Sequence, residues 1–354
     1  MKIRKFLSIF AIITVLFLTG EVLIWNSQGI SSFTMAKRGP VKVAALLYDF
    51  KDDLIGDIRN SLEDIQKENQ GTIEYVFYDS KSDEVIQNQN VEKVLNEGVD
   101  LILLNLVNRD GAQAIINKIK VTNTPVVLFN REPTTTLPIQ SYNRAIYVGT
   151  EPSQAGTLQG RMIVDVWNSS KEYIDKNNNN IIEYVMLQGE RDNTEAIERT
   201  RYSISTIEGA GINTRRIALE VCDWNEELAY NATKKLLLKH GNQIEAIIAN
   251  DDTMAIGAIK ALQEQGYNKG DKSKTIVVIG VDITPEAKAI IEKGNMLGSV
   301  SQNPREYADV LHSSGINLIN KRSPIYGTRY QLDSTGTAIR IPQTEYLYNN
   351  IFLK

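Results

Sequence analysis

The chain has 354 residues, 42% of them hydrophobic and 23% charged, with 23 Gly and 9 Pro, the make-up of a folded globular protein and not of a disordered or collagen-like one. Its 39 basic and 43 acidic residues give a net charge of −4, which argues against a uniformly basic nucleic-acid binder. One Cys and two His (His240 and His312) exclude an intramolecular disulfide framework and a multi-Cys metal site, and leave little for a His-rich metal centre or a Ser–His–Asp triad.

The first residues are of a different kind from the rest. Lys2, Arg4 and Lys5 precede an apolar run over 6–20, which resumes at 22–25 after Glu21. A basic head before such a run predicts a secretory signal or a signal anchor over 1–36. With Glu21 tolerated, the stretch nears the roughly 20 residues that span a bilayer. Thr34 and Ala36 offer small residues for cleavage, and no Cys follows for lipid attachment. The leader holds three of the 39 basic residues and one of the 43 acids, so the remainder carries 36 against 42, net −6. That part is expected outside the cytoplasm, in the periplasm or on the outer face of the membrane, where a single Cys222 suits an exported protein.

From residue 41 apolar β-rich runs alternate with helical patterns. Runs at 41–47, 73–78, 101–104, 125–129 and 145–148 predict strands. Ile55, Ile58, Leu62 and Ile65 at spacings of three and four predict a helix after the first run, Val85, Val91, Val94 and Leu95 another, and 114–119 a third. The alternation restarts with strands at 184–187, 216–221, 245–249 and 276–280 and helices at 194–208, 226–238, 253–265 and 284–293. Near-continuous apolar strands between amphipathic helices imply parallel sheets covered on both faces. Two such series, with about 150 residues per domain, predict an α/β protein of two doubly wound lobes.

In such sheets ligands bind beyond the carboxyl ends of the strands. The residues there include Asp49, Asp52 and Asp53, then Asn105, Asn130-Arg131-Glu132, Glu190-Arg191-Asp192-Asn193, Cys222-Asp223-Trp224, Asn250-Asp251-Asp252 and Asp282. Any one Asp or Asn here suits a helix N-cap. Together with Arg199 and Trp224 they form a set of planar donors and acceptors with an aromatic face. A sugar needs that chemistry, because each hydroxyl both donates and accepts and carboxylates, amides and guanidinium satisfy it.

The segments PVVLFNREP (125–133), YVGT (147–150), EAIIANDD (245–252) with Met254, and GVDITPE (280–286) carry a resemblance to the periplasmic galactose/glucose-binding proteins, within the type I periplasmic sugar-binding fold. The resemblance covers most of 41–300. It implies two lobes joined by a three-segment hinge: 41–150 with about 304–331 in the N-terminal lobe, and 151–302 with about 333–354 in the C-terminal lobe. The chain is expected to cross near Thr150, near 302–304 and near Asp333, with a helix over 305–319 returning to the first lobe and 338–342 to the second. The resemblance implies sugar contacts at Asp52, Asn130, Arg199, Trp224 and Asp282, which match the family pattern. Leu54 replaces a stacking Phe, Asn193 a His, Glu195 an Asp and Asp251 an Asn, and Gln302 falls near a further Asn. These departures change which hydroxyls are read.

A second motif lies at 175–183. Asp175, Asn177, Asn179 and Glu183 place side-chain oxygens at positions 1, 3, 5 and 9 of a loop, with the Ile181 carbonyl at position 7. This is the spacing of an EF-hand-type calcium loop, with Asn180 in place of the usual Gly and no carboxylate at position 12. An Asn-rich surface turn would read the same way; the resembled family supplies the missing carboxylate from a distant segment, matching Glu245. A structural calcium held by Asp175, Asn177, Asn179, Ile181, Glu183 and Glu245 is therefore expected.

The resulting expectation is a non-enzymatic, monomeric clamp. It closes on a galactose- or glucose-like monosaccharide by a hinge motion and presents it to the membrane subunits of an ABC importer. The alternative is a membrane-anchored sugar sensor partner for a chemoreceptor or histidine kinase. A DNA-binding regulator of this fold would need a helix pair where the apolar leader stands. Glu190, Glu195 and Asp282 suggest a glycosidase only by residue type.

Overall fold

The computed structural model of the chain describes residues 39–348, so the leader expected at 1–36 lies outside the described residues. Nearly all of the described residues belong to one unit, Lys42–Lys354. Its first half runs β1 (Val41–Leu47), α1 (Asp53–Glu68), β2 (Ile73–Asp79), α2 (Glu84–Glu97), β3 (Leu101–Leu104), α3 (Ala112–Val121), β4 (Val126–Phe129), α4 (Leu137–Gln140) and β5 (Ala145–Gly149). The period of α1 buries Ile55, Ile58, Leu62 and Ile65, and Asp52 caps it by accepting the Ile55 N–H. β3 and β4 are buried along their whole length, as strands covered on both faces must be.

The second half runs α5 (Pro152–Ser169), β6 (Ile181–Gln188), α6 (Thr194–Gly209), β7 (Asn213–Val221), α7 (Glu226–His240), β8 (Ala246–Ala249), α8 (Asp252–Glu264), β9 (Val277–Asp282), α9 (Pro285–Glu292) and β10 (Gly298–Ser301). The chain ends with α10 (Pro304–Ile319), β11 (Ala338–Arg340) and β12 (Glu345–Leu347). One sheet has the order β11-β5-β4-β3-β1-β2, the other β12-β10-β9-β8-β6-β7. β1 pairs with β3, β3 with β4, β4 with β5, β5 with β11, β6 with β7 and β8, and β9 with β8 and β10, all in parallel, whereas β12 runs antiparallel to β10. Among the described residues no helix is long and apolar enough to cross a membrane.

The strand–helix alternation read from sequence does not include α5, which at 18 residues is longer than any other described helix. Gly156 and Gly160 dilute its apolar stripe, and the structure shows what they do. A Cβ on Gly156 would come within 2.7 Å of the Arg199 carbonyl, and one on Gly160 within 2.5 Å of the Ser203 carbonyl. The two glycines let α5 lie directly on the backbone of α6.

The expected third crossing is corrected. The chain does not leave the first lobe near Asp333. Leu332 bridges Ile339 antiparallel, the Asp333 N–H donates to the Ala338 carbonyl at 2.9 Å, and Asp333 Oδ1 accepts from the Thr335 N–H and hydroxyl at 3.1 and 2.6 Å. Residues 333–337 are thus a turn closed by an Asp, as its side chain favours. The strand that follows pairs with β5 of the first sheet, Ala338 against Tyr147. Residues 338–342 therefore do not return to the second lobe, and the crossing falls at 341–344, before β12. The helix α10 does return to the first lobe, where Arg305 pairs with Glu68 of α1 through two bonds of 2.7 Å.

Candidate functional site

The carboxyl ends of both sheets face one cavity of about 570 Å³, counting its mouth. All nine residues expected from the sequence line it: Asp52, Asn130, Asn193, Glu195, Arg199, Trp224, Asp251, Asp282 and Gln302. Leu54 lines it as well and supplies aliphatic surface where the resembled family has a ring.

Each of these side chains is held by the element that carries it. The Asp52 carboxylate accepts from the Ile55 N–H at 2.9 Å and from the Tyr48 hydroxyl at 2.6 Å. Burial pushes its carboxyl above the usual range, against the pull of those two donors. Asn130, after β4, has φ 56°, a left-handed conformation that Asn tolerates better than most residues. Its Oδ1 accepts from Asn105 at 3.2 Å, which leaves its Nδ2 to donate into the cavity.

Arg199, 1% exposed, donates to the Asn250 carbonyl at 2.8 Å and to Glu195 Oε2 at 2.9 Å. Its Nε and Glu195 Oε1 are buried without a partner among the described residues. Trp224 follows Asp223 in a left-handed pair, φ 47° and 60°, which costs about 1–3 kcal/mol per strained residue unless the surroundings impose it. Gly189 makes room for the ring, because a Cβ there would stand 2.3 Å from the indole. The ring lies flat over the glycine, 5.9 Å from the Arg199 guanidinium.

Asp251 caps α8, its Oδ1 accepting the Met254 N–H at 2.8 Å. Burial raises its carboxyl, and the Asp52 and Asp252 charges push it further. Asp282, at φ 126°, accepts from Gln302 Nε2 at 2.7 Å, and its carboxyl too is raised by burial. Two expected residues have their polar atoms committed within the protein. Asn193 caps α6 through Oδ1 and donates Nδ2 to Glu190 at 2.9 Å. Gln302 accepts from Thr150 at 3.2 Å and orients Asp282.

Sequence reasoning missed the side chains that join the lobes. Arg131, stacked 4.5 Å over Tyr48, reaches from the first lobe to Glu190 of the second at 2.9 and 3.2 Å. Burial works to raise the Glu190 carboxyl, but Arg131, helped by Asn193 and Trp224, holds it below the usual range. Arg109 donates to the Thr194 hydroxyl at 2.6 Å and Thr253 to Asp53 at 2.9 Å. Arg131 and Glu190 do stand at strand ends in the sequence. Their pairing, 59 positions apart, has no local signal.

The expected calcium residues are folded as a loop at the far side of the second lobe. Asp175, Glu183 and Glu245 are all buried. N–H groups donate to them: Asn179 and Asn180 backbone to Asp175 at 3.1 and 3.2 Å, Asn177 and Asn179 amides to Glu183 at 2.7 and 2.8 Å, and Lys176 backbone to Glu245 at 2.7 Å. Among the described residues no three of His, Cys, Asp and Glu are gathered closely enough to hold a metal ion. The side chains are oxygen donors of the kind a hard cation takes, and in this structure Arg215 pairs with Glu183 and Lys171 with Asp175. Burial pushes the Glu245 carboxyl up to about 7, with the Glu183 charge adding to the push.

Two parallel sheets crossed three times by the chain, with polar side chains from both meeting over one cavity, define a two-lobed solute-binding protein. The sequence profile of the periplasmic binding protein domain matches residues 43–323, and the chain belongs to that family, which comprises extracytoplasmic solute-binding proteins and not enzymes. It is 32% identical over 316 residues to the D-galactose/methyl-galactoside binding periplasmic protein MglB of Haemophilus influenzae, covering 88% of this chain and 92% of that one. It is 23% identical over 246 residues to the ribose import binding protein RbsB of Escherichia coli, covering 70% and 73%. Its fold matches an ABC transporter periplasmic solute binding protein of Actinobacillus succinogenes solved with D-allose, at a TM-score of 0.73 and 17% identity over 88% of this chain and 99% of that one.

Proposed function

We propose that the cavity binds a hexose-sized monosaccharide of the galactose/glucose type and that the closed protein delivers it to an ABC importer. The observation that carries this reading is the lining itself: carboxylates, an amide, a guanidinium and an indole drawn from both lobes around one cavity. The polar groups suit hydroxyls that donate and accept, and the ring suits the C–H face of a pyranose. The similarity to a galactose-binding relative over most of both chains supports the choice of hexose. Ligand favours closure because only the closed lobes bring Asp52 and Asn130 against Asp251, Asp282 and Trp224. A basic-headed leader that stays attached would favour a membrane sensor as the receiver of the same closed shape.

A thermal-shift panel of pentoses, hexoses and their derivatives tests the reading. A ligand at 100 times its Kd adds about 2.7 kcal/mol, which raises the Tm of a protein this size by roughly 4 °C. A panel in which no sugar moves the Tm would refute sugar binding.

A structural calcium in the loop at 175–183 belongs to the same proposal. Asp175, Glu183, Glu245 and the Asn177 and Asn179 oxygens would hold it, and its charge would take over from the N–H donors now on those carboxylates. Glu245→Gln is expected to lower the Tm in calcium by about 1–2 °C for each kcal/mol of ion binding lost, and to leave the Tm in chelator nearly unchanged. An equal drop in both buffers would remove Glu245 from the ion.

A further inference from the structure

Five carboxylates line the cavity, those of Asp52, Asp53, Glu195, Asp251 and Asp282; Asp53 is exposed and accepts from Thr253, and the cations do not balance the other four. Arg131 is already spent on Glu190. Lys51 sits exposed at the rim. That leaves Arg199, which gives one nitrogen to Glu195 and another to the Asn250 carbonyl.

The acceptors are also in surplus. Asp251, 6% exposed, uses Oδ1 on the Met254 N–H, and its Oδ2 has no partner among the described residues. Asp282 uses Oδ1 on Gln302 and likewise keeps Oδ2 free. Glu195 Oε1 is buried and unpartnered. A neutral sugar hydroxyl carries one donor, whereas an ammonium carries three and a full positive charge. Charge-assisted bonds of this kind are about twice as strong as neutral ones.

Resting on the sugar-binding reading, we infer that the preferred ligand is an amino sugar, a hexose bearing a protonated primary amine that lies against Asp251. Each group facing Asp251 fits. Asp52 acts on it from the first lobe, Asp252 and Asp282 from the neighbouring strand ends, the Cys222 thiol from the end of β7, and Arg199 is the one cation among them. Asp252 is already satisfied, by Ser299 at 2.7 Å and the Thr284 N–H at 2.9 Å, so it does not compete for the amine. Burial and these like charges hold the Asp251 carboxyl high when no cation is present. An ammonium therefore binds best once Asp251 has ionised, and its affinity rises with pH until the amine itself loses its proton.

Calorimetry with D-galactosamine, D-glucosamine and D-mannosamine, each beside its neutral parent hexose and its N-acetyl derivative, tests the inference. One hexosamine is expected to bind at least tenfold more tightly than both its parent and its N-acetyl form, and to gain affinity from pH 5 to pH 7. Asp251→Asn keeps a good N-cap, so α8 is retained. It is expected to erase the preference, so that the amine and its neutral parent bind alike. A neutral hexose that binds as tightly as its amine, or that weakens as pH rises, overturns the amine and leaves sugar binding standing, with Asp251 then acting as a protonated donor. A preference that survives Asp251→Asn overturns the placement at Asp251. Silence from all nine sugars overturns both readings.

Discussion

Trp224→Ala is expected to weaken sugar binding by about 30-fold or more, since a central aromatic anchor is worth about 2–4 kcal/mol when truncated. The ring is a platform packed against Gly189, with the Arg199 guanidinium 5.9 Å from its centre. Little of the fold depends on it: Trp224 only borders the hydrophobic core of the second lobe. The ligand-free Tm is therefore expected to fall by no more than a few degrees while calorimetric affinity collapses. Unchanged affinity would take the indole out of the site. Gly189 gives an independent handle on the same platform, because any Cβ there must displace the ring.

Arg199→Met is expected to cost the ligand-free protein about 3–5 kcal/mol, the penalty for breaking a buried ion pair by removing one partner. Methionine replaces the packing volume but leaves the Asn250 carbonyl and the Glu195 carboxylate without a donor. The loss has a pH signature whose sign follows from the carboxyls. Burial already raises Glu195, and Arg199 opposes that rise; Asp251 and Asp282 feel the same guanidinium. Without it all three shift further up. A carboxyl raised in the folded state withdraws stability as pH climbs from its unfolded value through its folded one. Urea unfolding is thus expected to show a larger deficit at pH 8 than at pH 5, and Glu195→Gln in the Arg199→Met background to recover part of it. A deficit equal at both pH values would mean that packing, not charge, is what Arg199 supplies.

Much of the site was legible in the sequence because its residues stand at strand ends, where a parallel sheet exposes function, and because short segments such as FNREP and GVD carry several of them at once. Asp52, Asp251 and Asn193 also cap helices, so a local signal for capping and a signal for binding fall on the same residues. The lobe-joining contacts were not legible. Arg131 with Glu190 and Arg109 with Thr194 are partners in space only, and nothing in their neighbourhoods in sequence announces the pairing. The helix α5 was hidden for the opposite reason: the glycines that let it pack on α6 are the residues that weaken a helical pattern. The misplacement of 338–342 came from a three-residue strand, too short to show whether its partner is β5 or a strand of the other sheet.

That short strand bears on how the protein is made. The first sheet closes with β11, whose partner β5 lies some 190 residues earlier, and α1 is covered by α10 from the far end of the chain. Neither lobe is complete until the last described segments have emerged. Contacts so distant in sequence form slowly, because the closure of long loops precedes any gain from pairing. For a protein that works outside the cytoplasm, this threading delays folding during synthesis, and it favours a chain that remains extended until it has been exported.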